Sequence, residues 1–240
     1  MKLKALLLSA ALPLAAAAPA FADVAPEPRP APHGKDKDKD KDKDKDKAEA
    51  KDHHKPHLPD QFKGKAEVLA ADDKDYARAD LASAVKPAGD GGISEGIVVR
   101  LTADVPVWRM WSGPAKKDAR GNTNRLGQWW GAETPHGTQQ KYRANYEICQ
   151  GWNDLTWMAK CTLKKGAVVA IGPGQSVTAK TCGDPAGKEE YAANKHDWQV
   201  WVAKAWARLG ADKELDCPAE SADYEVDAGN IAKPKAAPAK

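Results

Sequence analysis

Net charge, paired thiols and long apolar runs are all scarce in this chain, and each shortage excludes a class of function. Lysine and arginine total 37 against 34 aspartates and glutamates, a balance of +3, with the signs mixed along the sequence. No basic stripe stands ready for a phosphate backbone, so nucleic acid is not an expected partner. None of the four cysteines forms a C-x-x-C pair, which argues against a zinc ribbon or a thioredoxin-like redox site. The one long apolar run, Ala5 to Ala18, is too short and too alanine-rich for a membrane span. It follows Lys2 and Lys4 and precedes Ala20-Phe21-Ala22, the layout of a secretory signal peptide over 1–22, cut before Asp23. The expectation is a secreted or periplasmic protein with no membrane span after signal removal.

Export sets the state of the cysteines. Cys149, Cys161, Cys182 and Cys217 are even in number and would meet oxidising conditions, so two disulfides are expected. Spacing leaves three pairings open; the shorter loops favour Cys149 with Cys161 and Cys182 with Cys217. Residues 23–92 read as a linker, first proline-rich and then a strict Lys-Asp alternation from Lys35 to Lys47. Alternation places like charges at i+4 and aspartate is a poor helix former, so this part is a solvated tether or a tolerated repeat. His53, His54 and His57 follow without a rigid element to fix ligand geometry, and no metal is expected. At most one short helix, around Asp73 to Val85, is expected before Pro87 and the GDGG turn.

What the chain does have is tryptophan. Six of its nine lie between Val105 and Ala170, interleaved with Arg109, Arg125 and Arg143. Indole supplies apolar area and a stacking face, and a neighbouring guanidinium can grip phosphate while stacking on the same rings. The folded domain is expected over 93–217, built from short strands: IVVRLTADVPVWRMW, LGQWWG, KYRANYEIC, WMAKCTL, AVVAIG and PGQSVTAKTC, separated by Gly, Pro and Asn turns. The fold class is α+β and β-rich, with few helices and a loose tail over 218–240. HDWQVWVAKAWARLG fits an amphipathic helix best on periodicity, with Trp198, Trp201, Val202, Ala205, Trp206 and Leu209 on one stripe. A strand, or a strand through Val202 followed by a helical turn, also fits.

The succession VWRMW, GQWW, RANYEI, LKKGAVVAIGPGQS and WQVWV resembles the secreted toxin domains with an ADP-ribosyltransferase-like fold, of the NAD glycohydrolase or polymorphic-toxin type. The resemblance covers about residues 97–202. It implies two small sheets around a cleft in which NAD lies bent, as substrate. Arg109 would hold the phosphates, Trp129 or Trp130 would line the nicotinamide pocket, and Gln199 would stand on the late strand by the nicotinamide ribose. Arg109 and Gln199 are thus the expected catalytic residues; by residue type alone, Arg143 joins the cofactor-binding set and Arg125 is another arginine able to contact phosphate. A glutamine cannot supply the negative charge of a glutamate, which favours hydrolysis of NAD over transfer to a protein target.

Plainer roles exist for each residue. Arg109 between two tryptophans suits a cation-π pair. Only one of Trp129 and Trp130 can face a cleft if both lie on a strand. Arg125 and Arg143 suit a solvent-facing border, and Gln199 is exposed if its segment is helical. Tyr146, Trp152 and Trp157 are assigned to the core, Asn153 and Asp154 to a turn, and His136 to an inert loop. The competing function is a secreted binding module whose tryptophans stack on cell-wall or extracellular glycans; VVRLTADVPVWRMWSGP and CTLKKGAVVAIG resemble bacterial SH3-type wall-binding repeats. An inactive structural protein that keeps the toxin-like fold is the third reading.

Overall fold

The computed structural model describes residues 57–210 and 212–236. The expected signal peptide, the Lys-Asp tether, His53 and His54 lie outside the described residues. The fold is α+β and β-rich. Ten strands run in chain order as β1 Ala66–Val68, β2 Ile97–Leu101, β3 Val105–Trp111, β4 Trp129–Gly131, β5 Trp157–Leu163, β6 Val168–Pro173, β7 Trp198–Trp201, β8 Leu215–Asp216, β9 Tyr224–Asp227 and β10 Asn230–Pro234. Three short α-helices accompany them: α1 Leu81–Ala84, α2 Gln139–Asn145 and α3 Ala179–Cys182. Among the described residues the strands join in one antiparallel path, β1-β2-β6-β7-β4-β3-β5-β9-β10, with β8 added on β5, so a single sheet stands where two small sheets around a cleft were expected.

Composition explains the centre of this path. β6 is an uninterrupted run, VVAIGP, buried at every position and paired on both sides, as a strand covered on both faces must be. On one face Val99, Val107, Trp130, Cys161, Ile171 and Val200 pack into the main core; on the other, Val98, Val168, Ala170 and Trp201 pack against Ala79, Ala84 and Ile93. Met110, Tyr142, Tyr146, Leu155 and Met158 form a third cluster with Val226 and Ile231.

Several expectations need correction. The folded region begins before 93: Phe62 is fully buried in the main core and β1 pairs with β2, because a short apolar segment completes a sheet edge even amid charged neighbours. It also extends beyond 217, since β9 pairs with β5 and Ile231 is buried, so 218–236 is not a loose tail. The expected helix over 73–85 is a 3-10 turn, Tyr76–Ala79, followed by α1. KYRANYEIC is not a strand. Tyr142 and Tyr146 share one face of α2 and its cap, rings 4.5 Å apart, and Thr138 Oγ1 caps the helix by accepting from Lys141 N. PGQSVTAKTC holds α3, capped by Thr178, and past β6 it pairs only through isolated bridges at Gly174 and Val177. The 198–209 segment is split, with strand β7 and then a 3-10 turn over Ala205–Ala207. The disulfides are Cys149–Cys182 and Cys161–Cys217, so the shorter-loop pairing is wrong. Loop-closure entropy varies slowly with length and cannot outweigh the sheet, which places Cys161 in the main core beside Cys217.

Candidate functional site

The site grows from three adjacent strands. Arg109 lies on β3, Trp129 and Trp130 on β4 and Gln199 on β7, and these strands are neighbours in the order β7-β4-β3. Gln199 stands in register between Gly131 of β4 and Gly172 of β6. Neither cross-strand neighbour has a side chain, and other groups pack closely on both: the Tyr146 hydroxyl against Gly131 and the Glu95 carbonyl against Gly172. Beside this glutamine, α2 contributes Tyr142, its C-terminal cap contributes Tyr146, and the turn beyond contributes Glu147 and Ile148. Arg109, Trp129, Trp130, Tyr142, Tyr146, Glu147 and Gln199 all line one cavity of about 340 Å³, with Trp152 at its edge. Such a volume is at the small end of ligand pockets and suits one ring with its sugar rather than a whole dinucleotide.

Arg109 is held firmly. Its Nε donates to the carbonyl of Asn124 at 3.0 Å and its Nη1 to that of Trp129 at 2.6 Å, tying the long loop before β4 to the strand. Nη2 has no partner among the described residues and lies against Gly127, where a Cβ would fall 2.2 Å away. That approach is the reason for glycine in the GQWW motif. Burial lowers the guanidinium pKa to about 10, which leaves it charged at neutral pH. One nitrogen, rather than a full fork, therefore remains to meet an anion.

Gln199 is 5% exposed, not the surface residue a helix would have made it. Its Nε2 donates to the carbonyl of Tyr146 at 3.3 Å and to Glu147 Oε2 at 2.9 Å. The carbonyl of Tyr146 can only accept, so the amide nitrogen lies on that side and the amide oxygen on the other. Glu147 itself is 1% exposed, with a left-handed backbone at φ 48°. Its other oxygen accepts from Asn194 N at 2.7 Å, and no cation pairs with it among the described residues. Burial is the main cause that pushes its pKa up to about 8, with the nearby Asp197 charge adding to it, while the hydrogen bonds from Asn194 and Gln199 oppose the rise. A protonated carboxyl at neutral pH and a carboxylate in mild alkali are both accessible at this site.

The other candidates fall elsewhere. Arg143 is buried, and its guanidinium donates to the carbonyls of Ile148, Asn153 and Asp154, so it knits the turn behind the cavity rather than facing solvent or lining the site. Arg125 is also buried, in a two-pronged pair with Asp223. Asn153 is a buried bridge between Ser112 and the carbonyl of Met110, more than a turn former. Tyr146 is in the core and Trp157 packs on Trp111, but Trp152 is 47% exposed, contrary to its core assignment. Trp108, instead of stacking on Arg109, lies under Lys160 Nζ at 5.6 Å. His136 sits exposed in its loop.

Sequence reasoning missed Glu147 and Tyr142. The available signal was local: Glu147 is the one acidic residue between Glu133 and Asp154, set between Tyr146 and Ile148-Cys149. A lone carboxyl in an apolar-aromatic stretch is either buried or functional. Among the described residues no helix is long and apolar enough to cross a membrane, and no group of three metal-ligating side chains occurs. The chain matches no family model, no curated protein and no solved structure.

Proposed function

We propose that this protein is an exported domain that binds NAD and cleaves its bond between nicotinamide and ribose, in the manner of a toxin-like NAD glycohydrolase. One observation carries the reading: Arg109, Trp129, Trp130 and Gln199, distant in the chain, line a single cavity on three adjacent strands, with the indole of Trp130 packed in the main core. In the reaction the C1′–N bond breaks with its electron pair passing to the ring, which leaves as neutral nicotinamide. The positive charge moves to the ribose, and water adds to C1′ with loss of a proton. Gln199 Oε1 directs the negative end of a fixed dipole toward that sugar, Trp129 offers a face to the ring, and Arg109 Nη2 meets a phosphate oxygen. The two disulfides suit an oxidising compartment, in keeping with the signal-like N-terminus.

The tryptophans do not favour the glycan-binding alternative. Trp111, Trp130 and Trp201 are buried, and the two most exposed, Trp152 and Trp206, are separated: Trp152 edges the cavity while the 61%-exposed Trp206 sits on the turn after β7 and does not line it. The test is nicotinamide release from NAD by the purified mature protein. The wild type is expected to release nicotinamide, and Gln199→Ala to slow it on the order of a hundredfold, the scale of removing one transition-state hydrogen-bonding group. Absence of release by the wild type, beside a working control enzyme, would remove the enzymatic reading.

A further inference from the structure

The cavity holds an arrangement that phosphate gripping and ribose contact leave unexplained. Glu147 is a buried carboxyl without a cationic partner among the described residues, and the aromatic residues Trp129, Tyr142, Tyr146 and Trp152 line the same space. Tyr142 and Tyr146 are only 6% and 8% exposed. Aromatic faces carry negative potential, and a ring of them beside a carboxylate is the standard surrounding for a cation that has shed its water. The backbone holds the carboxyl there deliberately. Glu147 accepts a left-handed φ, and Gly174 faces it where a Cβ would lie 2.1 Å from Oε2.

We propose that Glu147 makes this cavity selective for a planar ring bearing a fixed positive charge over its neutral counterpart. The inference deepens the dinucleotide reading and rests on it for the identity of the ring, the quaternary pyridinium of oxidised nicotinamide nucleotides. Arg109 lines the same cavity from β3 without pairing to Glu147, so the site is bipolar. A pyridinium joined through ribose to a phosphate is bipolar in the same sense, the ring meeting Glu147 and the phosphate meeting Arg109.

The groups that face Glu147 set how selection varies with pH. Asp197, ahead of β7, repels its negative form; Tyr146 is kept protonated by burial; Asn194 and Gln199 are neutral donors; and elsewhere in the cavity lining Tyr142 stays protonated and Arg109 positive. With Glu147 titrating at about 8, selection strengthens as pH rises through that value.

The experiment uses the mature full chain and two probes of nearly the same shape, 1-methylnicotinamide, which is quaternary, and nicotinamide, which is neutral. Binding is followed by tryptophan fluorescence at about pH 6.5 and about pH 9. The cation is expected to bind at least about tenfold tighter than the neutral ring at the higher pH, a ratio that shrinks severalfold at the lower pH. Glu147→Gln is expected to bring the ratio near one at both. The wild-type pH dependence stands as the second measurement should that variant fail to fold. Equal binding of the two probes, binding of neither, or a preference that survives Glu147→Gln would overturn the inference. Cation selection in a protein that releases no nicotinamide from NAD would leave it standing and overturn the hydrolase reading alone.

Discussion

At the scale of single residues, Glu147 couples the site to the stability of the fold. Its folded carboxyl keeps a proton up to about pH 8, while in the unfolded chain it titrates near the ordinary value of 4.5. Between those values the folded state binds the extra proton. Stability from this group is therefore complete below the lower value, falls by at most roughly 1.4 kcal/mol per pH unit, and levels off above the upper one. Thermal melts from about pH 5 to about pH 9 are expected to show wild-type Tm declining relative to Glu147→Gln; parallel profiles would contradict the assignment. Gly174 gives an independent check on the same contact. A Cβ there would lie 2.1 and 2.4 Å from the two carboxylate oxygens, so Gly174→Ala is expected to cost about 1–3 kcal/mol in urea unfolding. In a Glu147→Ala background most of that cost should disappear, since the clash is pairwise.

Among the elements, Arg125 shows what an arginine in a loop can do. Its Nε and Nη2 reach Asp223 at 2.6 and 2.9 Å, and Nη2 also reaches the carbonyl of Pro218, fastening the chain ahead of β9 to the loop before β4. Arg125→Ala leaves Asp223 buried without its partner, so a loss of about 3–5 kcal/mol is expected, with faster amide exchange in β9. Strands were legible in the sequence where apolar, β-branched and aromatic residues concentrate between turn formers, as in β2, β3, β5 and β6. Helix α2 was not, because Tyr142, Tyr146 and Ile148 satisfy a period of two as well as Tyr142 and Tyr146 satisfy a period of four. Thr138, four residues ahead of Tyr142, was the deciding capping signal. The stripe over 198–209 misled for the opposite reason: its helical period is genuine, but β4 and β6 supply partners on both sides of β7, and pairing outweighs local preference. Residues 109, 129, 130 and 199 were picked out by motif and meet in one cavity. Glu147 was not, since its importance comes from burial, which only the tertiary structure reveals.

For the molecule as a whole, the two disulfides have separable roles. Cys161–Cys217 closes a loop of 56 residues between β5 and the C-terminal chain, whereas Cys149–Cys182 joins α3 to the turn two residues beyond Glu147. Replacing Cys161 and Cys217 by serine is expected to cost roughly 2–5 kcal/mol while leaving ligand affinity unchanged in the folded fraction. Replacing Cys149 and Cys182 should also weaken ligand binding, because the carboxyl and Tyr146 are no longer anchored. Calorimetric melts beside binding titrations separate the two outcomes. The claim on which the account depends is that the nicotinamide end of NAD enters the cavity beside Trp129 and Gln199. Saturation-transfer NMR with NAD and the mature protein measures this directly. The account predicts strongest transfer to the pyridinium protons, lost in Trp129→Ala; transfer confined to the adenine protons, or none at all, would contradict it.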